Sequence, residues 1–234
     1  MNRRHTPAQR LRRMHDVLAN SFGPQYWWPA ATAFEVIVGA YLTQNTSWKS
    51  VERSLANLTD AGVLSIEGMR SVRMDELQIL IRPSGFQTRK APALKAFIIM
   101  LDEEFCGSLD MLAAAPTAAL RPRLLSLPGV GPETADAILL YALKHPIPVV
   151  DEYLRRIATR HQLFEPSAGR AGYEPLAAMT RAAFQSDPES AHLELFNETH
   201  ALVVAVGKAH CGRTPDCSHC PLAYDLEVIG SAKA

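Results

Sequence analysis

A glycine turn and an aspartate twenty residues further along the chain are the features of this sequence best suited to chemistry. The turn is Gly129-Val130-Gly131, and the aspartate is Asp151. Glycines let a backbone turn sharply and approach a ligand, and the amides at the start of a following helix attract a phosphate. A carboxylate held in a dry site can stabilise a developing positive charge or orient a water. A plain turn and a helix N-cap are the alternative interpretations.

Amphipathic helices are predicted on both sides of these residues. Residues 124–143 have the pattern of a helix, a tight glycine turn and a second helix that begins at Pro132. Apolar residues at helical spacing predict helices over about 7–18, 34–42, 48–58, 74–82, 91–105, 117–126, 132–144, 151–163, 173–185 and 192–208, the two hairpin helices included. No segment alternates with the period of a β-strand. We therefore predict an all-α fold of about ten helices.

The composition is typical of a globular protein. Of the 234 residues, 47% are apolar and 21% are charged, and no apolar run is long enough to cross a bilayer. No continuous apolar stretch follows the N-terminal arginines, so a secretory signal is not expected. We expect a cytoplasmic monomer.

The charge balance limits the type of nucleic-acid binding. A net charge of zero argues against a protein that coats nucleic acid, but it permits a local basic patch. The residues available for such a patch flank the turn and the aspartate in sequence: Arg121, Arg123, Arg155, Arg156, Arg160 and His161.

The glycine turn resembles the hairpin of the helix-hairpin-helix (HhH-GPD) DNA glycosylases, the superfamily that includes endonuclease III. Leu127-Pro128 before the glycines, Thr134-Ala135 after them and an alanine-rich second helix carry the resemblance, which covers about residues 25–222. It implies an enzyme of base excision repair that acts on damaged double-stranded DNA and is associated with the nucleoid if the cell is prokaryotic. The hairpin residues implied to bind DNA are Gly129, Val130, Gly131 and Thr134.

The same resemblance implies that Asp151 is the catalytic carboxylate. In the superfamily an apolar pair and an aspartate follow the hairpin, and here the pair is Val149-Val150. Cleavage of an N-glycosidic bond builds positive charge on the deoxyribose, which a fixed carboxylate can stabilise. Capping of the next helix by Asp151 is compatible with this role.

Glu133 occupies the position at which bifunctional members of the family carry a lysine, two residues after the second glycine. A carboxylate cannot form the Schiff base through which that lysine cuts the strand. The sequence therefore predicts removal of the base with little strand cleavage. The other interpretations of Glu133 are an acidic residue favoured by the helix dipole and a contact with the flipped base or its water.

A glycosylase must fill the gap left by a flipped base and stack on the base itself. Gln44, within residues 42–46, matches the family residue that enters the gap. The predicted base pocket consists of Trp27, Trp28, Pro29, Trp48 and Glu133. With the segment 82–86, this pattern is similar to the 3-methyladenine glycosylases of the endonuclease III type. Core packing is the alternative role of the tryptophans.

These aromatic residues suggest an alkylated purine such as 3-methyladenine as the substrate. Such a base carries positive charge, so electron-rich rings can select it by stacking and cation–π attraction. Two alternatives stay open. One is an endonuclease III-like glycosylase for oxidised or mismatched pyrimidines, and the other is a non-catalytic DNA-binding module.

Three of the four cysteines, Cys211, Cys217 and Cys220, lie together near the C-terminus. Many superfamily members hold a [4Fe-4S] cluster on four cysteines with gaps of six, two and five residues, whereas the 3-methyladenine relatives lack these cysteines. Here the first gap is five residues and the fourth position is Leu226. The possibilities are a cluster, zinc on three cysteines and one histidine, and a loop without metal. The candidates for a substitute fourth ligand are Asp225, His219 and His210.

Two further residues receive predictions. Cys106 lies far from the other cysteines and is expected to be buried in the core, and no disulfide is expected in the cytoplasm. Lys208 falls where the family has a basic residue near the site or the DNA backbone, although a solvated surface lysine is the ordinary interpretation.

The resemblance also implies two lobes with the active cleft between them. The first is a six-helix lobe over residues 30–145, with the helix-hairpin-helix at about 117–143. The second is formed by residues 1–29 and 146–234 and includes the cysteine loop 211–220.

Overall fold

The structure is a computed structural model that describes residues 5–28, 30–164 and 172–226. Across these ranges the chain is helical and contains no β-strand, which confirms the predicted all-α fold. Pro29, assigned to the base pocket, lies outside the described residues. None of the described helices combines the length and apolar character needed to cross a membrane. The chain divides into two compact units, Trp28–His145 and Met1–Trp27 with Pro146–Ala234.

The helices follow one another with short connections. In chain order they are α1 (Pro7–Phe22), α2 (Ala33–Leu42), α3 (Trp48–Asp60), α4 (Ile66–Ser71), α5 (Met74–Leu80), α6 (Gln87–Phe105), α7 (Leu109–Ala114), α8 (Thr117–Leu125), α9 (Pro132–Ala137), α10 (Glu152–Arg160), α11 (Tyr173–Ala183) and α12 (His192–Ala209). The described residues also include two 3-10 turns, Arg82–Ser84 and Glu189–Ala191, and a π-helical segment, Ile138–Ala142. The sequence did not predict α4 and α7, because six residues show too little of a helical period.

The unit Trp28–His145 is organised around α2. Eight of the ten residues of α2 are buried, and α3, α6 and the π-helical segment pack against it. The side chain of Thr32 caps its first turn by accepting a hydrogen bond from the amide of Glu35. Because α2 is buried on all sides, the turn that follows it is held in a fixed place.

The other unit packs α1, α10, α11 and α12 around a common core. Thr6 and Gln9 form a capping box at the start of α1, and Pro7 occupies its first position. Apolar residues of all four helices form the core, among them Leu11, Met14, Leu18, Leu154, Ile157, Leu176, Leu202 and Val206. Helix α10, which follows Asp151, is thereby anchored on its apolar face.

The prediction that Cys106 is a buried core residue is wrong. Cys106 is exposed and ends α6 with a φ of +51°, and its amide bonds to the carbonyl of Leu101. The last buried residue of α6 is Leu101, so the chain has already left the core where the cysteine occurs.

Candidate active site

The predicted hairpin is a tight turn between α8 and α9. Gly129 has a φ of +75°, a left-handed value that favours glycine. Gly131 is the N-cap of α9, and Pro132 occupies the first helical position, as predicted. The helical run continues through the π-helical segment. The start of α9 carries the positive end of the helix dipole, as an anion-binding site requires.

The two glycines of the hairpin differ in what the fold requires of them. A Cβ atom on Gly129 would lie 3.3 Å from the Cβ of Ala93, and the positive φ would add strain. Gly131 has a φ of −93°, which any residue adopts, and a Cβ there would meet no atom within 4 Å. The fold therefore requires Gly129, whereas Gly131 leaves space at the start of the helix.

An ion pair that the sequence reasoning missed joins the two helices of the hairpin. Nε of Arg121 donates to Oδ1 of Asp136 at 2.7 Å, and Nη2 donates to Oδ2 at 3.0 Å. Asp136 is buried, and a bidentate pair of this type fixes orientation as well as distance. The pair holds α8 and α9 in one arrangement.

Gln44 lies in the turn after α2 and contacts the hairpin directly. Its Nε2 donates to the carbonyl oxygen of Gly129 at 2.8 Å and to the hydroxyl oxygen of Thr134 at 3.0 Å. Thr134, which the sequence placed among the DNA contacts, is buried, and its hydroxyl binds Gln44 in this structure. Three predicted site residues are thus brought together across 85 or more sequence positions.

Phe86 is a residue to which the sequence reasoning gave no role. It directly precedes α6 with a φ of +50° and is 54% exposed. A bulky residue in the left-handed region is strained, and strain of this kind is found at functional sites. Because more than half of the Phe86 side chain is exposed, packing in the core does not explain its strained backbone, and contact with a ligand is the favoured role. The available signal was an aromatic residue directly after Ser84-Gly85.

Trp28 and Trp48 form an aromatic cluster with Tyr141, another residue that the sequence reasoning missed. The ring centroid of Trp28 lies 5.5 Å from that of Trp48 and 5.4 Å from that of Tyr141. A Cβ on Gly39 would lie 3.3 Å from the Trp28 ring, so this glycine permits the close approach of α2. Tyr141 is buried and the tryptophans are half-buried, which leaves aromatic surface open.

Trp27 belongs to the other unit and lies beside Lys208. The Nζ of Lys208 is 5.5 Å from the centroid of the Trp27 ring, within the range of a cation–π interaction. One face of this indole therefore carries a positive charge. That charge opposes the stacking of a positively charged base on the same face.

Asp151 is the N-cap of α10, and its carboxylate is buried. Oδ1 accepts a hydrogen bond from the amide of Leu154 at 2.7 Å, and the residue is 6% exposed. Burial raises the pKa of this carboxyl to about 6, although hydrogen bonds from the amides of Leu154 and Tyr153 lower it. At neutral pH the group is an ionised carboxylate in a dry environment, which can stabilise a nearby positive charge.

The backbone around Asp151 is held by its neighbours. The amide of Val150 donates to the hydroxyl oxygen of Tyr173 at 3.3 Å. A Cβ on Gly207 of α12 would lie 2.2 Å from Cδ1 of Tyr153, so Gly207 permits the close packing of α10 on α12. These contacts fix the start of α10 and with it the carboxylate.

His200, on α12, is the third residue that the sequence reasoning missed. Its Nε2 lies 3.8 Å from Oδ2 of Asp151. Burial lowers the pKa of this imidazole to about 4, so it is neutral at physiological pH. A histidine within an apolar helix is usually a core residue, and the sequence offered no signal to distinguish this one.

Comparison with known proteins decides the family. A model of the HhH-GPD superfamily of base excision DNA repair proteins matches residues 38–175. The chain belongs to this superfamily. A protein of Methanocaldococcus jannaschii named as a DNA repair glycosylase is 39% identical over 211 residues, which cover 90% of this chain and 92% of the relative. The enzyme is therefore a DNA glycosylase of base excision repair, which hydrolyses N-glycosyl bonds, and the interpretation as a non-catalytic module is set aside.

Two other relatives of this glycosylase have named substrates. Thymine-DNA glycosylase of Aeropyrum pernix is 26% identical over 197 residues, which cover 84% of this chain and 82% of the relative. The structure of the H. pylori 3-methyladenine DNA glycosylase bound to 1,N6-ethenoadenine has a TM-score of 0.73 at 28% identity and covers 88% of this chain and 98% of that one. The superfamily and the activity are thus shared by relatives that act on different bases.

Several of the basic residues that the sequence suggested for a patch make contacts within the protein. Arg123 pairs with Glu104, and His161 is buried against Asp225. Arg156 and Arg160 both donate to Cys211, one to its carbonyl oxygen and the other to its sulfur. Their charges orient parts of the protein, so the start of α9 is the better candidate for a phosphate contact.

The cysteine loop of this glycosylase does not fit a four-ligand cluster. Cys211, Cys217 and Cys220 line one pocket with Leu226, whose side chain cannot replace the fourth thiolate. Within the described ranges no three His, Cys, Asp or Glu side chains form a group that could hold a metal ion. A guanidinium nitrogen of Arg160 lies 3.0 Å from the sulfur of Cys211.

The substitutes for the fourth ligand differ in their surroundings. Asp225 accepts hydrogen bonds from Arg10 at 2.5 and 2.9 Å and pairs with His161 at 2.8 Å. His219 is exposed and contacts Ser218. His210 lines the same pocket as the three cysteines, and its Nδ1 is buried without a hydrogen-bond partner. The contacts of Asp225 already tie the C-terminal segment to α1 and to the end of α10.

Proposed function

We propose that this glycosylase removes an alkylated purine of the 3-methyladenine type by hydrolysis, without efficient cleavage of the strand. The observation that carries the proposal is the buried carboxylate of Asp151, fixed at the start of α10 with a pKa raised to about 6. The geometry supports a catalytic role beyond capping, because the carboxylate that caps α10 through Oδ1 also lies 3.8 Å from His200 through Oδ2 and is held in a buried, fixed position.

In the proposed mechanism Asp151 acts in its ionised form. Loss of the base leaves positive charge on the deoxyribose, and a carboxylate in a water-poor site stabilises that charge without reorganisation. The same carboxylate can orient or deprotonate the attacking water. The alkylated base leaves readily because its own positive charge weakens the glycosidic bond, so no strong general acid is needed.

The hairpin and two adjacent side chains would supply the grip on DNA. A phosphate would bind at the start of α9, where the absence of a side chain on Gly131 leaves room. Gln44 would enter the gap left by the flipped base, exchanging its two bonds to the hairpin for contacts with DNA. Each such bond contributes about 1 kcal/mol, so the exchange costs little. The exposed ring of Phe86 is suited to enter the stack beside it.

The aromatic cluster supports the substrate assignment. Trp28 and Trp48 are half-buried and keep aromatic surface open, which suits stacking of a purine. Trp27 is less suited to stacking on a cationic base than Trp28 and Trp48, because the ammonium of Lys208 lies over one face of its ring. The likeness to the 3-methyladenine glycosylase of H. pylori adds support at the level of the whole chain.

Glu133 supports the absence of strand cleavage. It is exposed in the first turn of α9, at the position where bifunctional relatives carry the lysine nucleophile. A carboxylate forms no imine with the opened sugar. Borohydride should therefore trap no covalent adduct with damaged DNA, and a trapped adduct would contradict this part of the proposal.

The test compares base release from duplexes that contain 3-methyladenine, 1,N6-ethenoadenine, thymine glycol or a G·T mismatch. Release of the alkylated and etheno purines, abolished in Asp151→Asn, is the expected result. Wild-type release confined to the thymine substrates would overturn the substrate assignment. Excision by Asp151→Asn at the wild-type rate would overturn the mechanism.

A second candidate is a glycosylase for mismatched or oxidised pyrimidines. The likeness to a thymine-DNA glycosylase over 84% of the chain favours it. The duplex comparison above distinguishes the two candidates, because the thymine and purine substrates are assayed with the same preparation.

A further inference from the structure

Lys90 is a buried lysine that binds two backbone carbonyls. It lies in the first turn of α6 and is 5% exposed. Its Nζ donates to the carbonyl oxygen of Leu42 at 2.8 Å and to that of Ser84 at 2.9 Å. The ammonium also lies 5.8 Å from the ring centroid of Phe86. The three N–H groups of the ammonium thus have two carbonyl oxygens and one aromatic face within reach.

The two carbonyls belong to the ends of two different elements. Leu42 is the last residue of α2, two positions before Gln44, and Ser84 ends a 3-10 turn, two positions before Phe86. Carbonyls at helix ends lack partners within the helix, and a lysine can satisfy them. The single nitrogen Nζ of Lys90 donates to one such carbonyl from each of these two elements. It thereby joins the turn that contains Gln44 to the turn that contains Phe86.

Such a contact is costly to the fold. Burial lowers the pKa of Lys90 to about 8, and no carboxylate pairs with it among the residues that the structure describes. A charge removed from water without a countercharge is unfavourable, and packing of the core alone does not require one at this position. The ammonium lies between the two turns that carry Gln44 and Phe86, the residues proposed to enter the base stack, and this position points to a use in function.

We propose that Lys90 is a positioning residue that holds the Gln44 turn and the Phe86 turn at a fixed separation, so that both side chains enter the base stack together. The proposal rests on the role of Gln44 and Phe86 given under the proposed function. Lys90 itself acts only through these two turns, because its ammonium is buried against the protein backbone.

Lys95 provides a matched control on the same helix. Its Nζ donates to the carbonyl oxygens of Met69 at 2.8 Å, Arg70 at 3.0 Å and Val72 at 2.5 Å. This lysine therefore makes the same type of contact, but at the end of α4, where no site residue lies. A loss of stability shared by Lys90→Met and Lys95→Met measures the general cost of removing such a lysine.

The first measurement needs no catalysis. Amide hydrogen exchange of the free protein should show about tenfold faster exchange at residues 43–47 and 84–88 in Lys90→Met, because both turns lose a fixed point. Lys95→Met should leave these two segments unchanged. Unchanged exchange at both segments in Lys90→Met would overturn the proposal, whatever the enzyme does to DNA.

The second measurement compares single-turnover excision of one lesion in a duplex and in a single strand. In a single strand the damaged base is unpaired, so the enzyme does not have to force it out of a duplex. The ratio of duplex to single-strand rates should fall by about tenfold or more in Lys90→Met and stay within about twofold of wild type in Lys95→Met. An equal loss on both substrates would show a merely structural role.

Lys90→Gln keeps the test decisive if the methionine variant does not fold. The amide is uncharged but retains N–H donors, so an intermediate ratio and intermediate exchange are expected. A wild-type ratio and wild-type exchange in Lys90→Gln would contradict the proposal. If the wild-type enzyme releases no base from either substrate, the proposed function fails, and the exchange measurement still decides the role of Lys90.

Discussion

Nε2 of His200 lies 3.8 Å from Oδ2 of Asp151, and both side chains are buried. The imidazole supplies no countercharge, since burial lowers its pKa to about 4. The carboxylate therefore ionises only near pH 6, for lack of both water and a cation. The carboxylate thus has a fixed position and receives no countercharge from His200, which suits a group that must meet a cationic transition state.

The pH dependence of excision should report the ionisation of Asp151. Single-turnover rates should fall about tenfold per pH unit below the pKa of about 6, because the protonated carboxyl cannot stabilise positive charge. The measurement is the rate of release of 1,N6-ethenoadenine from a duplex between pH 4.5 and 8, corrected for its release without enzyme. A rate that stays constant down to pH 4.5 would show that ionisation of Asp151 does not determine the rate of excision.

Asp151→Asn should raise stability at neutral pH while it removes activity. The folded-state pKa of Asp151 is raised, so its contribution to stability is present below the ordinary pKa of about 4 and lost as pH rises through about 6. Asparagine keeps the cap acceptor and avoids the cost of the charge, a gain on the order of 3 kcal/mol at most. Urea unfolding at pH 8 and pH 4 tests this. The gain should vanish at pH 4, and lower stability of the variant at pH 8 would contradict it.

The sequence predicts what depends on local pattern. The capping residues Thr6 and Asp151, the helix start at Pro132 and the all-α class follow from side-chain type and spacing over a few residues. The contacts of Lys90 with Leu42 and of His200 with Asp151 cannot be predicted from local pattern, because each joins positions almost fifty residues apart. Such pairs form through packing of whole helices, and a lone lysine or histidine in an apolar helix carries no sign of its partner.

The two glycines of the hairpin should respond differently to alanine. Gly129→Ala should lower stability by about 1 to 2 kcal/mol, because the new Cβ meets Ala93 and the φ is positive. Gly131→Ala should leave stability within about 0.5 kcal/mol and weaken DNA binding, because its Cβ would occupy the space left for a phosphate. Thermal unfolding and DNA affinity at two salt concentrations measure both. Unchanged affinity in Gly131→Ala would place the phosphate elsewhere.

The cysteine loop should fold without a cluster. We expect purified protein to contain less than about 0.1 iron per chain and no acid-labile sulfide, because Leu226 replaces the fourth thiolate. Asp225→Asn should destabilise the protein more than Cys217→Ser, because Asp225 is held by Arg10 and His161 whereas Cys217 is exposed. Metal analysis and thermal unfolding are the measurements. Stoichiometric iron, or zinc bound through His210, would contradict this prediction.

Lys208 should influence the choice between charged and neutral bases. Its ammonium lies over Trp27, so a cationic base that approaches this ring meets a like charge. Lys208→Met keeps the length of the side chain and removes the charge. Excision of 3-methyladenine should rise relative to that of the neutral 1,N6-ethenoadenine by about threefold to tenfold at low salt, and less at high salt, since the charge is exposed. Lys49→Met, a change at another exposed lysine, is the control. An equal change on both bases would show that Lys208 acts on the DNA backbone, and its charge would then have no part in substrate choice.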